Sequence, residues 1–496
     1  MGKVPYKWLV ATAFVFGLFM EILDITVLNT ALPTLGREFG VGNATLQWVV
    51  TGYLLSVAVF IPASGWIGDR FGTKRTFLFA LALFTAASVG AGLAPDIHYL
   101  IAARVLQGVG GGLLTPVGTA MLFRAFPPDE RARASAVLAV PTVIAPALGP
   151  VLGGFLTDQA SWRWIFFLNL PIGLAGIAFT ALFVREHREE NAGRLDVPGF
   201  VLAGAGLAGV LYALNRGPED GWTSATVLAT GLGGVAAIAA FVAVELRTRE
   251  PLIDLRLFRD RMFRTANLAM FTASGSLLGV LFLMPLFLQQ VRGLDATQSG
   301  LVTGVQALGM ISMVPISSRL YPKVGPRRLL LAGFTVIGLA TASTALIDLD
   351  SSLWWIRLLL LVQGWGMALS FIPLQAATFS TISREDTGRA SSLFNTNRQA
   401  AQAIGVAVLT TVLVSRTGTY LADLGPAAAD PAQVAAAGLE AFHDAFLAAV
   451  VFAALGVVAS LFVRDSDASA SLHPADAEEA ATGDRPRPEQ QPTIAG

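Results

Sequence analysis

GWIGDRFGTKR, Gly65–Arg75, comes back further along the chain as SRLYPKVGPRR, Ser318–Arg328. QGVG, Gln107–Gly110, is echoed by QGWG, Gln363–Gly366, and PPDERARAS, Pro127–Ser135, by SREDTGRAS, Ser383–Ser391. All three echoes are spaced by roughly 255 residues, so the chain reads as two related halves.

The stretches around these echoes are apolar and long. Runs of about 20 apolar residues, each able to cross roughly 30 Å of hydrocarbon as a helix, recur almost end to end. We place them at Trp8–Leu32, Thr45–Ile67, Thr76–Ala94, Tyr99–Phe123, Ser135–Leu156, Trp164–Val184, Pro198–Leu214, Ala225–Leu246, Thr265–Gln290, Ser299–Leu320, Leu329–Ile347, Leu353–Thr381, Ser392–Val414 and Ala445–Val463. With 54% hydrophobic and 14% charged residues, the chain has too little polar content to cover a soluble globule. The expected fold is an all-α integral membrane protein, two six-helix bundles in pseudo-two-fold relation plus two inserted helices. The parts are residues 1–190, the inserted pair with its linker at 191–262, residues 263–464, and a polar, acidic, Ala/Pro-rich tail, 465–496, expected to be disordered.

The first span is too long for a signal-peptide core and has no small-residue cleavage site after it, so it is read as retained. With the N-terminus inside, the loops holding Arg70, Lys74, Arg75, Arg131, Arg133, Arg185, Arg188, Arg256, Arg261, Lys323, Arg327 and Arg328 fall in the cytoplasm. The opposite loops keep only Arg37, Arg163, Arg216, Arg292 and Arg416. Both termini are therefore expected in the cytoplasm of a multi-pass cell-membrane protein. Zero net charge without a basic block argues against a nucleic-acid partner. The chain has no cysteine, and its four histidines, His98, His187, His443 and His473, lie in loops, a helix end or the tail. Neither a metal site nor a cofactor is expected, and no nucleophile-and-base pair or phosphate loop points to an enzyme.

The first span reads FMEILDITVLNTALP, Phe19–Pro33, with Glu21 and Asp24 three residues apart on one face. Each acid at mid-bilayer costs about 2.5–3.5 kcal/mol on insertion scales, so a role is expected. Burial favours the protonated form and a nearby cation the ionised one, so an acid whose surroundings change can load and release a proton. The competing reading is a carboxylate paired permanently for helix packing. Arg104, in LIAARVLQGVGGGLL, is the expected partner, because arginine biases a carboxylate without titrating itself.

In the first basic loop Gly65, Gly68 and Gly72 suit tight turns, Asp69 a helix terminus, and Arg70 and Arg75 cytoplasmic anchoring; the echo replaces Asp69 by Pro322. The fifth span, PTVIAPALGPVLGG, carries Pro141, Pro146, Gly149, Pro150, Gly153 and Gly154. It should be kinked, with a small-residue face for another helix to pack or slide on. Asn29, Tyr53, Gln107, Gln289, Gln306, Asn395, Arg398 and Gln399 are candidate linings of a substrate cavity, with hydrogen bonding between helices as the alternative for most of them.

On LDITVLNTALP, GWIGDRFGTKR, RVLQGVGG, APALGPVLGG and WRWIFFLNLPIG, the sequence resembles the fourteen-helix drug:proton antiporters of the major facilitator superfamily, the EmrB/QacA-like multidrug exporters. The resemblance covers the first half densely and the second through the echoes. It implies a major facilitator fold and a cavity between the two six-helix bundles, lined by helices 1, 2, 4 and 5 and by 9, 10, 12 and 13, used in proton-coupled export of small hydrophobic compounds by alternating access, with protons and the bilayer as partners and the monomer as the unit. It further implies that Asp24 handles protons with Arg104 assisting, and that Asp69 meets Asp386–Arg389 when the cytoplasmic side closes. Gly149, Pro150, Gly153 and Gly154 would form the hinge or seal. Relatives that export dications carry an extra acid in the second half, and Thr265–Gln290 and Ser299–Leu320 contain none. Monocationic, neutral or zwitterionic amphiphiles are thus the expected cargo, with a dedicated exporter or importer of one metabolite as the alternative.

Overall fold

A computed structural model describes residues 5–126, 131–188, 195–248, 251–382, 386–425 and 430–468, without the side chains of residues 123, 131–143, 147, 387, 388 and 468. The expected disordered tail is thus described only over its first turn, Asp465–Ala468; the rest, with Pro127–Glu130 and Ser383–Glu385 of the third echo, lies outside the described residues.

The helices follow the apolar runs in order. They are α1 (Tyr6–Phe39), α2 (Asn43–Phe71), α3 (Thr73–Gly92), α4 (Ile97–Ala125), α5 (Arg131–Gln159), α6 (Arg163–Phe183), α7 (Val197–Asp220) and α8 (Ala225–Arg247). The second half supplies α9 (Arg261–Val291), α10 (Ala296–Val324), α11 (Pro326–Leu346), α12 (Leu353–Thr378), α13 (Thr387–Leu424) and α14 (Pro431–Leu461). Thirteen of these are long and apolar enough to cross a membrane, and α5, with 29 residues, is the other long helix. Short Asp and Ser side chains start several of them by accepting a first-turn N–H: Asp196 for α7, Ser224 for α8, Asp260 for α9, Asp295 for α10 and Asp430 for α14.

The ends differ from the hydropathy reading where polar sequence continues a helix. Expected to stop at Val414, α13 runs to Leu424, because nothing in SRTGTYLADL breaks it before Gly425. Likewise α14 starts at Pro431 and not at Ala445. Hydropathy marks the lipid-crossing part of a helix and is blind to its extension into water.

In the first half α1 packs on α4, α5 and α6, while α4 packs on α2 and α3. In the second half α9 packs on α12, α13 and α14, while α12 packs on α10 and α11. The QGVG echo explains part of this likeness. A Cβ on Gly108 would meet the Tyr53 carbonyl of α2 and one on Gly110 the Ala80 carbonyl of α3; one on Gly364 would meet the Gln306 carbonyl of α10 and one on Gly366 the Gly333 carbonyl of α11. The same glycine pair thus lets two neighbours close in around α4 and again around α12.

The halves meet along two seams, α2 against α13 and α5 against α10. The inserted hairpin α7–α8 lies over the first seam. Asn215 of α7 donates to the Ala44 carbonyl of α2 at 2.5 Å, and Thr411 of α13 donates to the Leu214 carbonyl of α7 at 2.6 Å. The outer face of α8 exposes Leu228, Leu232 and Val235, as a lipid-facing helix does.

Candidate functional site

Asp24 points into the interior of the first half, where its side chain is wholly buried. Its Oδ2 accepts from Arg104 Nη1 at 2.5 Å, and its Oδ1 accepts from Gln107 Nε2 at 2.8 Å and Asn169 Nδ2 at 2.9 Å. Arg104 also donates to the Val49 carbonyl at 3.0 Å and to Gln107 Oε1 at 2.7 Å, and its guanidinium lies 4.4 Å from the centre of the Tyr53 ring. Asn169 donates in addition to Ser88 Oγ, which donates to the Phe166 carbonyl. One carboxylate thereby ties α1 to α4 and α6, and through their partners to α2 and α3. A buried pair with both carboxylate oxygens engaged holds its charges fixed, and breaking one side of such a pair costs about 3–5 kcal/mol. Asn169 and Ser88 were missed in the sequence; a lone amide in WRWIFFLNLPIG was their one signal.

Glu21 sits one turn nearer the basic end and faces elsewhere. It accepts a single side-chain hydrogen bond, from Thr115 of α4 at 2.5 Å, and it lies within electrostatic range of Arg398 on α13, in the other half. Arg398 lines a cavity of about 100 Å³ with Met270 of α9, Phe371 and Gln375 of α12, and Asn395 of α13. A cluster of the two candidate acids and one arginine therefore resolves into two: a closed network around Asp24, and a buried Glu21 that Thr115 holds, with Arg398 of the other half within electrostatic range.

The end of the molecule away from the basic loops is shut. A Cβ on Gly149 would overlap the Thr26 side chain and one on Gly153 the Val27 carbonyl, so α5 presses on α1 along these two glycines. One residue further round the helix, Gly154 lies against the Ala296 carbonyl of α10 and Gly300 of α10 against the Pro150 carbonyl. Pro146, partly buried, follows Ala145, whose carbonyl accepts from Thr26 at 3.4 Å. Asp158, near the end of α5, then caps α10 across the seam, accepting from the Thr297 backbone and hydroxyl at 2.6 Å each and from the Ala296 N–H at 3.3 Å. Gln289 donates to the Thr30 carbonyl at 2.8 Å, and Asn43 and Gln290 exchange hydrogen bonds between α2 and α9. Asp158, Asn43 and Gln290 had no distinguishing signal in the sequence, because each works only against a residue far away in the chain.

Residues 14–406 match the family model described as Major Facilitator Superfamily. The chain belongs to the major facilitator superfamily. It is 32% identical over 485 residues to an uncharacterized MFS-type transporter, YhcA, of Bacillus subtilis, covering 90% of this chain and 91% of that one. It is 37% identical over 398 residues to a multidrug resistance protein B homolog of Mycobacterium tuberculosis, covering 79% and 74% of the two chains. The fold matches the crystal structure of a D-xylose-proton symporter with a TM-score of 0.65 at 16% identity, over 93% of this chain and 99% of that one. These relationships bear out the resemblance read from the sequence, and they make the chain a multi-pass membrane transporter and not an enzyme.

In this facilitator the basic loop is organised by acids that follow the last helix of each half. Gly72 takes φ +98°, open to glycine and strained for other residues, and packs on Glu186, whose carboxylate accepts the Lys74 N–H at 2.9 Å and the Arg75 N–H at 3.2 Å at the start of α3. Gly325, at φ +83°, packs in the same way on Asp465, which accepts the Arg327 N–H at 2.9 Å at the start of α11. Gly68 packs near Val117, and Gly65 and Arg70 are exposed. The expected contact of Asp69 with Asp386–Arg389 is not made among the described residues. Asp69 pairs with Arg124 at 3.2 Å, and Arg389 lies 3.7 Å from Asp254 and 3.8 Å from Asp386. Among the described residues Asp69 and Arg389 thus each take a partner on their own side of the seam.

Several cavity candidates are used otherwise. Gln107 belongs to the Asp24 network and Gln289 to the seal. Gln306 donates to Gln363 at 2.8 Å, and Gln363 to Thr341, knitting α10, α12 and α11. Asn395 lines the cavity while donating to the Ser391 carbonyl of its own helix. Asn29, Tyr53 and Gln399 are buried, with the Asn29 amide, the Tyr53 hydroxyl and the Gln399 oxygen unpartnered.

Proposed function

We propose that this facilitator is a proton-coupled antiporter that exports small hydrophobic or amphiphilic compounds, monocationic, neutral or zwitterionic, from the cytoplasm by alternating access. The basic end and both termini lie in the cytoplasm on this reading, by the bias of Lys and Arg among the loops. The shut end is then the outer gate, and the conformation is inward-open. The observation that carries the proposal is the split fate of two acids on one helix: Asp24 is locked in an ion pair, while Glu21 takes one side-chain hydrogen bond, from Thr115, and has Arg398 of the other half within electrostatic range. The relatives named as multidrug resistance proteins support the cargo class.

The coupling follows from that split. In the outward-open state a proton from outside neutralises Glu21 and displaces the substrate; on return to the inward-open state the field of Arg398 favours the carboxylate and releases the proton inside. The Asp24–Arg104 network keeps α1 and α4 in register while the halves rock. A membrane potential of 100 mV contributes about 2.3 kcal/mol per charge, enough for roughly fifty-fold accumulation from one uncompensated proton per cycle.

The test is transport in proteoliposomes under an imposed proton gradient. Glu21→Gln should keep downhill exchange of substrate and lose gradient-driven accumulation. Undiminished accumulation by that variant would remove Glu21 from the coupling step, and absence of gradient-driven transport by the wild type would end the antiport reading.

A further inference from the structure

At the basic end of the inserted hairpin the start of α7 meets the end of α8, and two acids meet with them. Asp196 caps α7, its Oδ1 accepting the Gly199 N–H at 2.9 Å. Glu245, in the last turn of α8 and 1% exposed, accepts the Ile253 N–H with Oε2 at 3.1 Å, which ties the linker before α9 back onto the hairpin. Each carboxyl group therefore has one oxygen engaged and one open. The open oxygens, Asp196 Oδ2 and Glu245 Oε1, are buried without a hydrogen-bond partner, and they are the two atoms nearest to the place that a Cβ on Gly199 would take, both within 2.7 Å of it. The lack of a side chain at Gly199 leaves room for the two to face each other.

Among the described residues no cation answers this pair. Arg247 of α8 and Arg259 of the linker are exposed, and Arg256 donates to the Leu246 and Thr248 carbonyls. Arg389 of α13 lies 3.7 Å from Asp254, the linker acid next to Ile253, while on α2 Asp69 pairs with Arg124 and Arg70 is exposed. Arg194, Arg249 and Glu250 of the adjoining loops lie outside the described residues. Two ionised carboxylates facing each other in a closed space repel, and neither has a donor to offer the other. One proton removes both objections, since it cancels one charge and turns one oxygen into a donor for its neighbour. We propose that Asp196 and Glu245 form a proton-binding site, in which one proton shared between Asp196 Oδ2 and Glu245 Oε1 clasps the start of α7 to the end of α8 and to the linker, and whose release to water at the basic end opens the clasp. The site serves neither cargo nor Glu21, and it stands whether or not the chain is an antiporter. The docked linker then holds one proton more than the open one, so opening becomes up to about tenfold easier per pH unit on the alkaline side. A single amide reproduces the clasp without the proton. Gln at 245 accepts the Ile253 N–H and donates its NH2 to Asp196, and Asn at 196 keeps the cap on Gly199 and donates to Glu245.

Infrared difference spectra of the purified full chain in nanodiscs read the site directly, because the carbonyl stretch of a protonated carboxyl stands apart from the carboxylate bands and shifts in D2O. At neutral pH, wild type minus Glu245→Gln and wild type minus Asp196→Asn should each show the band of one protonated carboxyl, fading as the pH is raised. Hydrogen exchange over residues 251–260, corrected for its intrinsic pH dependence, gives the second readout. Wild-type protection should fall by up to about tenfold per pH unit on the alkaline side, and protection in both amide variants should stay flat. The wild-type pH series needs no variant to fold, and wild-type protection that does not change with pH would overturn the inference. So would difference spectra without a carboxyl band, or protection that falls alike in all three proteins. A pair bridged by a metal ion would show carboxylate bands alone and lose its protection to a chelator, and that result also removes the proton.

Discussion

Replacing Asp24 by Asn separates a fixed structural charge from a travelling proton. If Asp24 were the group that is protonated and released in each cycle, Asn would imitate its protonated form and cost little. The geometry requires otherwise. Oδ2 faces the Arg104 guanidinium and Oδ1 faces two donors, Gln107 Nε2 and Asn169 Nδ2, so either orientation of an amide turns its NH2 against a donor. Gln107 cannot turn over to help, since its oxygen already accepts from Arg104. Arg104 would be left buried with the Val49 carbonyl, the Gln107 oxygen and the Tyr53 face as its remaining company. Breaking one side of a buried pair in this manner should cost about 3–5 kcal/mol. Arg104→Gln alone should cost a similar amount, and the double variant less than the sum, with a coupling energy of about 1–3 kcal/mol. Chemical unfolding of the purified protein in nanodiscs, read by tryptophan fluorescence, measures all four corners of the cycle. An Asp24→Asn variant within about 1 kcal/mol of the wild type would refute the fixed-charge argument and pass the proton to Asp24.

The outer gate gives a second expectation. A methyl group at Gly300 would drive into the Pro150 carbonyl, at a cost of about 1–3 kcal/mol to the shut state, so Gly300→Ala should shift the population outward and label a Thr30→Cys reporter from outside roughly tenfold faster; the chain has no other cysteine, and unchanged labelling would dismiss Gly300 as part of the gate. At the basic end, Gly72→Ala must adopt φ near +98° and crowd Glu186, so it should destabilise the first half by about 1–2 kcal/mol, with Gly325→Ala doing the same beside Asp465. Thermal unfolding curves that coincide with the wild type would contradict this. Finally, Asn215→Leu with Thr411→Val removes both hydrogen bonds by which α7 bridges the α2–α13 seam, each worth about 1 kcal/mol. Transport should then proceed with a changed turnover rate, measured in proteoliposomes, and an unchanged rate would make the hairpin a passive passenger.

The membrane class, the order of the helices and the glycine contacts were legible because they depend on local composition or on spacing within one helix. The short motifs also marked small-residue faces that another helix could approach, and the structure supplies the neighbours: α1 for Gly149 and Gly153, α10 for Gly154, α2 and α3 for Gly108 and Gly110. The partners across the fold were not legible. Glu186 and Asp465 are ordinary acids after a last helix until the chain returns them to the starts of α3 and α11, and Asp158 is one more loop-side acid until α10 arrives beside it. The placement of α7–α8 over one seam also follows from packing alone.

The two acids of α1 mark the sharpest limit of reading by spacing. Residues three apart on an α-helix differ by about 60° around its axis, close enough to count as one face and far enough to meet different neighbours. Here that angle separates the two: it carries Asp24 inward to Arg104 and Asn169, where its charge is held, and turns Glu21 to Thr115. Coupling needs an acid whose surroundings change when the halves move, and a residue whose every partner lies within one rigid bundle has surroundings that stay the same. Arg104, Gln107 and Asn169 all lie in the same half as Asp24, whereas Arg398 belongs to the other half from Glu21. The proton should therefore follow the acid whose counter-charge lies across the seam, whichever of the two is the better buried.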